Sequence, residues 1–248
     1  EVIDAPSGVY LFMDIHHMVF EGLSTNVFLH DALNAYNGQL PEAEQLTAYD
    51  FALYEQELMQ STEFEKAEQR FDALVADANV LSYPASAQPD GKPSAYTTLP
   101  FSGAGIMDFC PANNITIGSY MQAAFAEVMS RLTREKDNLY LTITNGRSAD
   151  AALQSCVGMF VKTMPVVRPA TTEGTTTADF AKAMHEQLQQ SYEQDFYPYT
   201  RLVERHKHHA EVMFVYQGGL SEGNQMDGIE EVPLELDTAK MPLDVSVY

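Results

Sequence analysis

The apolar positions of this chain follow two rhythms. The sharpest is helical. Ile117, Tyr120, Met121, Ala124, Phe125, Val128, Met129 and Leu132 recur every third or fourth residue, which predicts a helix with a core-facing stripe. A second helical set, Phe64, Ala67, Phe71, Leu74 and Val75, follows Ser61, a suitable cap, and Thr62 with Glu65 has the spacing of a capping box. Looser helical spacing predicts a helix from near Ser24, with Val27, Phe28, Leu33 and Tyr36, ended by Gly38 and Pro41. Others are predicted over 47–59, with Phe51, Tyr54 and Leu58 on one face, over 178–192, and directly after Pro198.

The second rhythm is that of strands. Residues 9–15, 138–144, 157–167, 212–216 and 243–248 read as extended runs. In 138–144 the alternation of Leu139, Leu141 and Ile143 predicts one buried face. Gly158 and Pro165 make the 157–167 run bent or an edge. Loops are expected from His16 to Gly22 and from Gly218 to Gly228. Residues 84–94 hold three prolines and a glycine, and they form the best boundary in the chain. Strands and helices mix without strict βαβ order, so the fold class is α+β with a mixed sheet.

Composition narrows the function classes. The 248 residues are 45% apolar, enough for a large core. Fourteen basic against 35 acidic residues give a net charge of −21, which excludes a nucleic-acid binder. Cys110 and Cys156 make neither a disulfide framework nor a metal motif. No apolar run reaches the length of about 18 residues that a membrane helix needs. The chain opens at Glu1, close to a strand-like run, and stops inside another, so it reads as a piece of a longer protein.

Candidate chemistry gathers in Asp14-Ile15-His16-His17-Met18-Val19-Phe20-Glu21-Gly22. Histidine titrates near neutrality and suits proton transfer. A glycine at a strand-to-helix turn lets backbone approach a reacting group, and the N–H groups of a helix start favour developing negative charge. The same pattern also suits a plain loop with two ordinary histidines and a salt-bridged glutamate.

This segment resembles the HHxxxDG motif of condensation domains of nonribosomal peptide synthetases. Further segments resemble that family in the right order. Asn145-Gly146-Arg147-Ser148 is similar to its GR turn, and Gly158 to Pro165 (GMFVKTMP) to its GxFVNTxPLR signature. Asp195 to Val203 (DFYPYTRLV) resembles its D-x-P-F-x-x-L-V helix start. Val212 to Gln217 (VMFVYQ) resembles its V-M-F-x-x-Q strand, and Ala239 to Val245 (AKMPLDV) more loosely its K-F-D-L strand.

The resemblance implies a chloramphenicol acetyltransferase-like fold holding part of the first subdomain and most of the second. Residues 1–83 would be the tail of the N-terminal subdomain with the histidine loop, 84–94 the crossover, and 95–248 an incomplete C-terminal subdomain. It implies amide formation between a carrier-bound acyl or peptidyl donor and an aminoacyl acceptor, both thioesters on 4′-phosphopantetheine, with no directly bound cofactor and no metal. His17 matches the catalytic histidine, as base or as positioning group, and Gly22 the glycine beside the reacting carbonyl. His16 is structural. Glu21 replaces the motif aspartate, whose arginine partner usually comes from the N-terminal half; Arg147 is the substitute that a nearby motif offers.

Two further departures are Lys162, in place of the signature asparagine, and the final arginine, which is Val167 or is displaced to Arg168. Implied partners are donor and acceptor carrier proteins and an adjacent adenylation domain, in the cytoplasm, with no nucleic acid and no membrane. The isolated piece is expected to be inactive. Alternatives are an epimerization or ester-forming relative, or a degenerate domain that only binds proteins. Of the remaining residues, Glu204 to His209 reads as a solvated helix end in which His206 and His209 share a face. Cys110 reads as a loop residue and Cys156 as a small core residue.

Overall fold

The computed structural model describes residues 1–40, 43–82, 97–218, 232 and 241–248. The expected crossover at 84–94, and the loop from Gly218 to Gly228 past its first residue, lie outside them. Two compact units interleave along the chain: Glu1–Glu57 with Asn145–Val161, and Leu58–Thr144 with Lys162–Tyr248.

The first unit opens with a hairpin of β1 (Val2–Ala5) and β2 (Gly8–Leu11), in register from Val2↔Leu11 to Ala5↔Gly8. The strand predicted over 9–15 therefore stops at Leu11. The loop then enters α1 (Gly22–Tyr36), and α2 (Ala48–Leu58) follows. Thr47 starts α2 with a reciprocal grip: its N–H donates to Asp50 Oδ2 (2.9 Å), and its Oγ1 accepts from the Asp50 N–H (3.3 Å). The unit's small core joins Leu153, Cys156 and Phe160 to Leu46, Ala48 and Phe51. The only fully buried residue of α1 is polar, Ser24.

Among the described residues, the second unit is a five-stranded mixed sheet with helices. Its elements are α3 (Thr62–Val75), β3 (Asn79–Val80), α4 (Ala104–Asn113), α5 (Ile117–Thr133), β4 (Asn138–Thr144), β5 (Lys162–Val167), α6 (Thr177–Tyr192), α7 (Tyr199–His206), β6 (Val212–Tyr216) and β7 (Leu243–Val247). β4 is the pivot. It pairs antiparallel with β5 over its whole length and parallel with β3 and β6, and β6 pairs parallel with β7. β5 pairs only with β4 among the described strands, which is the edge position that Pro165 requires.

Sequence rhythm is corrected at four places. Alternation along β4 predicts one buried face, yet its first five residues are all buried. Tyr140 joins Phe125 of α5, Met184 of α6 and Phe214 of β6, while Leu139 joins Phe64 and Phe71 of α3 and Tyr197. The stripe of α5 is rotated: Ser119, Gln122, Ala123, Ala126 and Met129 face inward, whereas Ala124 is exposed and Val128 and Leu132 are 53% and 72% exposed. Small side chains let this helix approach the sheet, and Gln122 is acceptable inside because its amide donates to Thr142 Oγ1 (2.8 Å) and its Oε1 accepts from Tyr140 (2.9 Å). Cys110 lies buried in α4, not in a loop; Pro111 hid that helix, which Asn114 closes in the left-handed region (φ 56°). Ser61 caps α3 as expected, accepting from the Phe64 N–H (3.2 Å), but the box expected at Thr62 and Glu65 does not form, and one forms instead at Thr176 and Asp179.

Candidate functional site

Between β2 and α1, the two histidines take opposite roles toward their own backbone. His16 Nδ1 accepts from the Met18 N–H (3.1 Å), an obligate donor, so neutral His16 carries its proton on Nε2. His17 Nδ1 lies 2.7 Å from the Phe20 carbonyl, an obligate acceptor, so Nδ1 carries the proton and Nε2 keeps the lone pair. Both side chains are exposed. A lone pair held outward on a fixed ring is what a general base needs.

The carbonyl that holds His17 belongs to the Phe20–Glu21 peptide, and Glu21 is anchored. Its carboxylate is fully buried beside the Arg147 guanidinium, also fully buried, with Arg147 Nε donating to Oε1 (2.7 Å). Oε2 accepts from the Val161 N–H (2.8 Å). Glu21 is the N-cap of α1 by position, but its side chain makes no cap bond, so the first-turn N–H groups of α1 have no side-chain acceptor there. Gly22 opens that turn, and the space where a Cβ would stand is empty to 4 Å.

Arg147 is reached through a turn at Gly146 (φ +63°), a conformation that favours glycine. Its other nitrogens are spent inside the same unit. Nη1 donates to the carbonyls of Leu153 and Cys156 (2.9 Å to the latter), and Nη2 donates to Ser24 Oγ (3.2 Å). The guanidinium also sits 4.3 Å from the centre of the Phe160 ring. Two buried charges, each with several hydrogen bonds, are the form in which a buried ion pair persists. The carboxylate one methylene longer than aspartate thus finds its arginine within this chain.

Other candidates are placed elsewhere. α7 ends at His206, and Lys207 turns left-handed (φ 57°), so His206 and His209 do not share a helix face. His206 Nε2 instead meets Asp72 Oδ1 (2.9 Å), beside Arg205, which pairs with Asp72 and with Glu68 (2.6 Å). No group of metal-ligating side chains occurs among the described residues. Burial, then the Glu44 carboxylate, pushes the Cys156 thiol up, and burial does the same for Cys110, so neither is poised as a nucleophile. Lys162 opens β5, and Arg168 directly follows it. No helix of the described residues is long and apolar enough to cross a membrane.

The order of these elements and motifs matches a known profile, that of the condensation domain, over residues 1–247. The chain belongs to the condensation domain family. Tyrocidine synthase 3 of Brevibacillus parabrevis is 27% identical over 202 residues, which is 79% of this chain and 3% of that protein. Among solved structures, the first condensation domain of the CDA synthetase superposes with a TM-score of 0.65 at 15% identity, over 82% of this chain and 48% of that one. The X-domain from teicoplanin biosynthesis gives 0.67 at 18%, over 82% and 50%. The chain therefore spans about half of each solved domain. Its architecture is the α+β, chloramphenicol acetyltransferase-like fold of condensation domains.

Sequence reasoning singled out the histidine loop and Arg147 but missed Ser24, Gly158 and the Val161 N–H. Ser24 had a readable signal, since it stands three residues after Glu21 and so one helical turn along the same face. The backbone partners left no trace in residue type.

Proposed function

We propose that this chain supplies the histidine loop of a condensation domain that joins a carrier-bound acyl or peptidyl donor to a carrier-bound aminoacyl acceptor. Both substrates are thioesters on 4′-phosphopantetheine arms. The acceptor amine attacks the donor carbonyl, the C–N bond forms, the C–S bond breaks, and the donor arm leaves as its thiol. His17 takes the proton that the amine nitrogen must lose, through Nε2, and returns it to the departing sulfur. The uncapped N–H groups at Gly22 and the start of α1 favour the negative charge that develops on the carbonyl oxygen. Glu21, Arg147 and His16 shape the loop and touch no substrate.

The observation that carries this reading is the lone pair on His17 Nε2, fixed by the bond from Nδ1 to the Phe20 carbonyl. The subdomain reading, with residues 1–83 and 95–248 on either side of a crossover, belongs to the same proposal. So do the carrier and adenylation partners in a cytoplasmic synthetase. In the full-length protein, His17→Ala should lower amide formation by roughly 10²–10⁴-fold while circular dichroism stays unchanged. Turnover at the unsubstituted rate sinks the assignment of His17.

A further inference from the structure

Ser24 is buried, and its hydroxyl makes every bond open to it. Oγ donates to the Gly158 carbonyl (2.8 Å), and it accepts from the Gly158 N–H (3.0 Å) and from Arg147 Nη2 (3.2 Å). One side chain thus holds both backbone groups of Gly158, where a side chain would be crowded. A Cβ there would meet Phe160 at 2.7 Å and Ala48 at 3.0 Å. Glu21, the N-cap, and Ser24 stand one turn apart at the start of α1 and grip the same guanidinium, Oε1 lying 2.7 Å from both Nε and Nη2 and Oγ accepting from Nη2. With Nε on Glu21 and Nη1 on the carbonyls of Leu153 and Cys156, the Ser24 bond completes the set of contacts that fixes the guanidinium plane.

Fixing that plane fixes Glu21, and Glu21 carries the peptide whose carbonyl holds His17 Nδ1–H. We propose that Ser24 is a positioning residue for His17. It holds Arg147 and Gly158 against the first turn of α1, so that the Phe20–Glu21 peptide keeps its orientation and His17 its tautomer. This rests on the proposed acyl-transfer role of His17 only where activity is read; the tautomer is a property of the protein itself.

The test uses the full-length protein labelled with ¹⁵N-histidine, as Ser24→Ala, Ser24→Thr and Ser24→Cys. Ser24→Ala should lower kcat by roughly 10- to 100-fold with KM unchanged, the scale of a small misplacement of a reacting group. The His17 ¹⁵N shifts should move from the Nδ1–H form toward a mixture of tautomers. Ser24→Thr, which keeps the hydroxyl, should restore both readouts. If Ser24→Ala does not fold, Ser24→Cys keeps the volume with a poorer hydrogen-bonding group, and the same two readouts decide. An unchanged His17 tautomer in a folded variant overturns the proposal, whether or not kcat falls. A shifted tautomer with kcat unchanged upholds the positioning and overturns the catalytic reading of His17, which His17→Ala tests separately.

Discussion

Two arginines of this chain are buried over phenylalanine rings and paired with glutamates, and they differ in what their burial achieves. Arg147 and Glu21 are sealed, with no exposed side-chain surface on either. Arg168 has 8% of its side chain exposed, but its partner Glu127 has 33%, and Glu127 also meets the exposed Arg131 (2.8 Å). Arg168 lies 5.0 Å from the Phe180 ring centre and donates to the carbonyls of Lys136 and Pro169 (both 3.2 Å), so it staples the strand ends of the second unit. The sealed pair has no water to replace a lost partner; the open one does. A sealed pair is therefore a weak contributor to net stability but a strict one in geometry.

The widest gap between the two should appear when one partner is removed. Arg147→Met leaves the Glu21 charge buried alone, and amide exchange across 145–161 should report a loss of about 3–5 kcal/mol in local opening free energy. Adding Glu21→Leu to Arg147→Met should recover most of that loss without recovering activity, because stability returns but the peptide that holds His17 is no longer anchored. A double variant as labile as the single one would mean that the pair itself carries the stability. Arg168→Met should cost less, about 1–3 kcal/mol, read in the amides of β4 and β5, since Glu127 remains hydrated. Equal losses at the two arginines would remove the distinction.

The smallest effect is a pH dependence of the open pair in acid. Arg168 first, then Arg131, hold the Glu127 carboxyl below its ordinary range. Its folded value is depressed, so its contribution is present above the ordinary carboxylate range, near 4.5, and is lost as pH falls below it. Arg168→Met should flatten that acid slope in a pH series of thermal melts, and an unaltered slope would assign it to other carboxylates.

The parts of the fold that were legible are those in which large side chains do the packing. The stripe of α3 is an example: Phe64, Ala67, Phe71 and Val75 are buried as spaced. The reading slipped where small or polar residues face inward. On α5, Ser119 and Gln122 are buried while Val128 is not, because a close approach to the sheet selects for size over hydropathy. The site divided in the same way. His17, Glu21 and Gly22 announced themselves by residue type and spacing. Arg147, 126 positions from Glu21, was readable through its own motif, but the Val161 N–H that Glu21 accepts from and the Leu153 and Cys156 carbonyls that Arg147 donates to are backbone groups, which no residue alphabet records.

α1 carries one last consequence. A helix seated by an oily stripe can roll or slide a little at small cost, since dispersion contacts are non-directional. α1 is seated through Ser24, its only fully buried side chain, by bonds that fail within a few tens of degrees of misalignment. It behaves less like a weight on a surface than like a key in a slot. Its angular setting is held by those bonds, while the exposed Ala35 and Tyr36 at its far end are free to change without turning the key.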